Sequence, residues 1–174
     1  MSLFFHMMFH VVGSSAVAGA LILGLGIQTS ASIPFDLVIS IILASFFGGV
    51  CVDFDHLFDY WKVFGWTFSF SKFSQGKQFA VSKKIYVPFH SIELALVLIG
   101  VSIWLVLDPS ISLLISFVML SFSMSLLTHL LLDLILNEVR WYTYFISVRI
   151  GKQFSLKELV PKEHYEAQSK KHET

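Results

Sequence analysis

Charge is what this chain of 174 residues has least of: Asp, Glu, Lys and Arg make up 14% of it, against about 25% in a soluble domain. Apolar residues account for 55%, and the mean hydropathy is +0.73. A water-soluble globule would be about 45–50% apolar, so the composition points to residence in a membrane. The lone cysteine, Cys51, excludes an intrachain disulfide and leaves packing or a metal to hold the fold. It follows Gly48-Gly49-Val50 in an apolar run and reads as a small buried hydrophobe. Twelve cationic residues balance twelve anionic ones, so there is no global case for nucleic acid as a partner. Three catalytic signatures are also missing: a glycine-rich phosphate loop, a zincin-type His-Glu-x-x-His and a serine elbow.

What the chain does have is four long apolar runs, at about residues 9–27, 35–58, 87–107 and 111–136. Each is long enough, at about 20 residues, to cross a ~30 Å hydrocarbon core. Lipid requires every backbone group to be satisfied within the segment, so the runs are expected as helices. The fold class expected is therefore all-α: a polytopic membrane protein built as a four-transmembrane-helix bundle. Glycine and alanine in the first run suit close helix packing, and Pro109 suits the opening of the fourth. No Lys or Arg precedes the first run and no small-residue cleavage site follows it, so it reads as a retained helix rather than a signal peptide.

Basic residues set the expected orientation. Lys62, Lys72, Lys77, Lys83 and Lys84 lie between the second and third runs. Arg140, Arg149, Lys152, Lys157, Lys162, Lys170 and Lys171 follow the fourth. The positive-inside rule then puts both termini and the middle loop on the cytoplasmic side of the cell (inner) membrane. Residues 61–84 interleave aromatics with Ser and Lys, as a loop lying on the headgroup layer would. Residues 140–154 have a similar character and read as a C-terminal interfacial helix. One membrane-embedded domain, 1–154, is expected, with a polar cytoplasmic tail at 155–174. His164 and His172 in that tail read as ordinary surface histidines.

The remaining polar residues fall in pairs at helical spacing, all at the cytoplasmic ends of the runs. His6 and His10 are four apart, Asp53 and His56 three, Asp55 and Asp59 four, His90 and Glu93 three, and His129 and Asp133 four. Such spacings place both members on one helix face. An unpaired polar group in hydrocarbon costs on the order of 2–7 kcal/mol, so these groups must be satisfied, and the four groups of residues are expected to meet. Imidazole and carboxylate are ligands of zinc, manganese and iron, and bundle metal sites are built from such pairs. Nine of these ten, all but Asp59, are candidate ligands; they exceed the four of a closed zinc site, which implies two or more ions, or one ion with an open position. The competing account is a buried polar network that pins helix register without metal.

His6 and His10, the run Val52-Asp53-Phe54-Asp55-His56-Leu57, Pro88-Phe89-His90-Ser91-Ile92-Glu93, and His129-Leu130-Leu131-Leu132-Asp133 together resemble a known family. It is the membrane-bound metal-dependent hydrolases described as LexA-regulated inner-membrane proteins. The family is distantly similar to the zinc-dependent phospholipase C group, whose helices carry His-x-x-x-Asp or His-x-x-x-Glu pairs around clustered zinc. The resemblance covers about residues 1–154 and implies a divalent metal, most simply Zn2+, with Mn2+ or Fe2+ as alternatives. The primary ligands expected are His6 or His10, Asp53, His56, His90, His129 and Asp133, with both His6 and His10 among the metal-site residues. Asp55 and Glu93 stand as further ligands or the general base, and Asp59 stands behind them. The activity expected is hydrolysis of a phosphoester in a membrane lipid or similar amphiphile, by metal-activated water. Lys83, Lys84 and Arg140 are placed to neutralise phosphate, and Ser91 reads as a capping or solvating residue. Two other classes compete: a metal or proton transporter, and a non-enzymatic scaffold with a structural metal. The transporter lacks ionisable groups beyond Ser15 in the first run and beyond Glu93 in the third.

Overall fold

The computed structural model describes residues 3–29, 32–137 and 139–166, and among these every regular element is helical. In chain order they are α1 (Leu3–Thr29), α2 (Phe35–Gly49), a 3-10 turn (Cys51–Asp55), α3 (His56–Phe64), α4 (Phe70–Ser74) and α5 (Lys77–Ser82). Then come α6 (Ile92–Leu107), α7 (Leu113–Leu136), a second 3-10 turn (Trp141–Tyr144), α8 (Ile146–Gly151) and α9 (Leu156–Leu159). The chain divides into two compact units, Met1–Val52 with Ile92–Ile135, and Asp53–Ser91 with Leu136–Thr174.

Among the described residues, two helices are long and apolar enough to span a membrane: Phe5–Ile27 within α1, and α7. The run at 35–58 is not one helix, because α2 stops at Gly49 and a 3-10 turn follows Val50. Taken together with Cys51–Phe64, α2 makes a third, broken candidate. Two successive glycines at its end weaken the helix there. The run at 87–107 starts five residues late, at Ile92, so α6 has 16 residues and reaches about 24 Å at 1.5 Å per residue. Pro88 is one cause: it disfavours the helical region for the residue before it, and Val87 sits at φ +28.

In the first unit the usual soluble pattern is inverted. The buried side chains of α7 include Ser116, Ser121, Ser123 and Ser125, while Phe46, Phe47, Val97, Ile103, Trp104 and Ile115 are exposed. Apolar outside and small polar inside is what helices need when the surroundings are hydrocarbon. The serines join helices directly. Ser45 of α2 meets Ser121 at 2.6 Å, and Ser121 Oγ also donates to the Ile41 carbonyl. Ser102 of α6 meets Ser123 at 3.0 Å, and Ser116 Oγ donates to the Leu105 carbonyl. An added Cβ at Gly48 would run into the Phe122 carbonyl oxygen, and one at Gly49 into the Ser14 hydroxyl. Only glycine permits α2 to approach α7 and α1 this closely. An apolar cluster of Ala18, Leu25, Leu37 and Ile41 closes the other end.

The second unit has its own small core of Ile85, Val87, Leu156, Leu159 and Val160, with Phe79, Tyr142 and Tyr165 packed on it. An isolated bridge joins Lys84 to Ser155, and Thr143 Oγ1 donates to the Leu159 carbonyl. Packing therefore continues past residue 155, where a polar tail was expected, because Leu156, Leu159 and Val160 supply the apolar face of that core. Residues 167–174, with His172, lie outside the described residues. The single interfacial helix expected over 140–154 is instead a 3-10 turn followed by α8, with Arg149 fully buried. Tyr60 is buried beneath the rings of Phe64, Phe68 and Phe73, and its hydroxyl accepts the Ser69 N–H. Trp66, Phe68 and Phe70 stay exposed, as do Lys62 and Lys72.

Candidate metal centre

In the first unit, α1 and α7 set His6, His10, His129 and Asp133 against one another. The spacing of four in each helix stacks the members of each pair on one face. His6 Nε2 lies 2.9 Å from His10 Nε2, and Asp133 Oδ1 lies 3.3 Å from the first and 3.2 Å from the second. His129 Nε2 is 3.4 Å from Asp133 Oδ2, and its ring stacks on that of His10 at 3.9 Å between centroids. All but His6 are buried, and His6 is half-buried. The tautomer of His129 follows from its other nitrogen, 2.9 Å from the Gly49 carbonyl oxygen. A carbonyl only accepts, so Nδ1 carries a proton, and Nε2 is the ring nitrogen turned toward the Asp133 carboxylate.

The second unit repeats the arrangement with different local structure. Asp53 and Asp55 come from the 3-10 turn and His56 opens α3. Residues 86–90 form a strap that precedes α6, and His90 is at its end. Asp55 is buried, with both oxygens 3.0 Å from His90 Nδ1, and its Oδ2 accepts the Phe89 N–H at 2.8 Å. His90 Nε2 is thereby turned toward Asp53 Oδ1, 3.3 Å away, and His56 Nε2 lies 3.7 Å from the same oxygen. Asp55, His56 and His90 each offer a ligand atom within 4.8 Å of the others. His90 is buried, whereas Asp53 and His56 keep 27% and 28% of their side chains exposed, which leaves an open side.

No family model, curated protein or solved structure matches the chain.

Most of the candidates from the sequence are thus described in one cluster or the other, and two are placed differently. His90 precedes α6, which begins at Ile92, so His90 and Glu93 do not share a helix face as expected. Residues 87–90 instead form a turn, closed by the His90 N–H on the Val87 carbonyl, and Glu93 lies half-buried in the first turn of α6 in the other unit. Asp59 meets the backbone of the strap that leads to His90. Its Oδ2 accepts the N–H groups of Tyr86 and Val87, at 3.1 and 3.2 Å. Cys51 is half-buried in the 3-10 turn, and Ser91 is buried at the end of the strap. Lys84 and Arg140 are exposed, each near a tyrosine ring, and Lys83 is exposed as well. Sequence reasoning missed Arg149 and the Gly49 carbonyl. Neither carries a local signal, since one bonds across more than 50 residues and the other acts through its backbone.

Proposed function

We propose that this chain is an integral-membrane, metal-dependent hydrolase acting on a phosphoester of a membrane lipid or similar amphiphile. The observation that carries the reading is the pairing of lone pairs. The Gly49 carbonyl behind His129 and the Asp55 carboxylate behind His90 fix the outer proton of each ring. Each Nε2 then faces a carboxylate oxygen at 3.3–3.4 Å, an arrangement that repels until a cation or a second proton sits between. A proton bridges two atoms. In the first unit three imidazole nitrogens and both Asp133 oxygens converge, which favours a cation. The separations of 2.9, 3.2 and 3.3 Å among His6, His10 and Asp133 also approach the ~3.3 Å edge of a tetrahedron drawn around zinc at about 2.0 Å.

A divalent ion held by these groups supplies Lewis-acid polarisation of a phosphoryl oxygen and activation of water. The chain's own residues do the rest. His6, His10, His129 and Asp133 in one unit, and Asp53, His56 and His90 in the other, are the ligands of this reading. Asp55 orients His90, as carboxylates behind metal-ligating histidines commonly do, rather than serving as ligand or base. Glu93, half-buried, is left as the acid–base group. The exposed apolar helices favour a substrate that partitions into lipid. The positive-inside pattern favours the cytoplasmic leaflet.

The test is metal content by mass spectrometry on detergent-purified wild type, Asp53→Ala and His129→Ala, followed by a screen of phospholipids and soluble phosphoesters. Stoichiometric metal and turnover in the wild type, both lost in the variants while membrane insertion persists, is the expected result. Folded wild-type protein without stoichiometric metal, or full turnover in both variants, overturns the proposal. Metal without turnover on any phosphoester leaves the scaffold in its place.

A further inference from the structure

The strap at residues 86–90 is held from both sides by buried charge. From one side come carboxylates: Asp59 accepts the N–H groups of Tyr86 and Val87, and Asp55 accepts that of Phe89. From the other comes Arg149 of α8, none of whose surface is exposed. Its Nη1 donates to the carbonyls of Tyr86 and Val87, the latter at 2.7 Å, and its Nη2 donates to that of His90 at 2.8 Å. Three carbonyls within five residues therefore converge on one guanidinium, which spans 59–63 positions of sequence to reach them.

This is an unusual use of a buried cation. Burying a guanidinium is costly unless it is richly bonded, and most stretches of backbone satisfy their carbonyls in a helix or sheet. Here the backbone is in neither. Val87 sits at φ +28, a region strained for a β-branched residue that persists only where surroundings over-determine it. The clamp supplies that over-determination. Its consequence is local: the strap ends at His90, whose backbone carbonyl is one of the three bonded groups and whose ring is held by Asp55.

We infer that Arg149 is a positioning residue for His90, holding the strained strap so that the imidazole Nε2 is set toward Asp53. The inference rests on the metal-site reading above. Arginine is needed because its planar fork reaches several acceptors at fixed angles, which a lysine ammonium does not.

The experiment loads full-length wild type, Arg149→Lys, Arg149→Met and Asp59→Asn with Co2+ in lipid nanodiscs. It reads affinity against a chelator and the visible absorption band at saturating metal. The band reports ligand geometry, which a general loss of stability does not move. Affinity about 10–100-fold weaker in the Arg149 variants, with an altered band, is expected, since loss of a partner that orients a ligand has costs of this size. Asp59→Asn should shift the band in the same sense. A band and affinity indistinguishable from wild type in folded Arg149→Lys or Arg149→Met overturns the inference and leaves the metal centre standing. Should Arg149→Met fail to fold, Arg149→Lys and Asp59→Asn carry the decision on their own. A wild type that takes up no Co2+ overturns both readings at once.

Discussion

Substituting Gly48 by alanine tests the packing that brings α2 against α7. The Cβ would meet the Phe122 carbonyl oxygen, with the Phe122 carbonyl carbon and Cα at 3.0 and 3.1 Å. These are backbone atoms, which cannot swing aside as a side chain would. Overpacking of this kind costs typically 1–3 kcal/mol, and the rigid obstacle puts Gly48→Ala near the upper end, about 3 kcal/mol. Replacing glycine in a helix returns roughly 0.5–1 kcal/mol of backbone entropy. The net expectation is destabilisation by about 2 kcal/mol. Gly100 in α6 supplies the control, because nothing lies within 4 Å of an added Cβ there. Gly100→Ala should therefore keep only the entropic gain and stabilise by up to about 1 kcal/mol. Both variants are measured by denaturant titration of the helical circular dichroism signal in mixed micelles. The two changes must have opposite signs. Gly48→Ala at or above wild-type stability would refute the close approach of α2 to α7. The Gly49 carbonyl, one residue on, orients His129, so metal retention should fall along with stability in Gly48→Ala but not in Gly100→Ala.

Two further expectations follow from named contacts. Asp55→Asn removes the charge that holds His90 Nδ1 and should weaken metal retention about 10–100-fold while the first unit stays folded; unchanged chelator competition would count against the orienting role of Asp55. The Ser45–Ser121 contact at 2.6 Å should show a coupling of about 0.6 kcal/mol in a double-mutant cycle with alanine, the average for such bonds in membrane helices, and a value of zero would mean the hydroxyls are satisfied separately.

What the sequence determined is what helical periodicity and composition encode. Residue spacing alone pairs His6 with His10, His129 with Asp133 and Asp53 with His56, and the structure brings each pair to within 2.9–3.7 Å. Apolar runs likewise identify α1 and α7 as long enough to cross a membrane. In α1 and α7 these are local facts, carried by 1.5 Å of rise and 3.6 residues per turn, whereas Asp53 reaches His56 from a 3-10 turn. The break after Gly49, the late start of α6 and the strap carrying His90 belong to a different class. Gly48-Gly49 and Pro88 permit them locally, but the conformations are held by groups distant in sequence: Phe122 and Ser14 against the glycines, Asp59 and Arg149 on the strap. Arg149 shows the limit most clearly. In the sequence it is one of twelve basic residues and reads as a marker of orientation. Only the tertiary structure turns it into a buried clamp, because the three carbonyls that satisfy it lie 59–63 residues away and none of them has a side-chain signature.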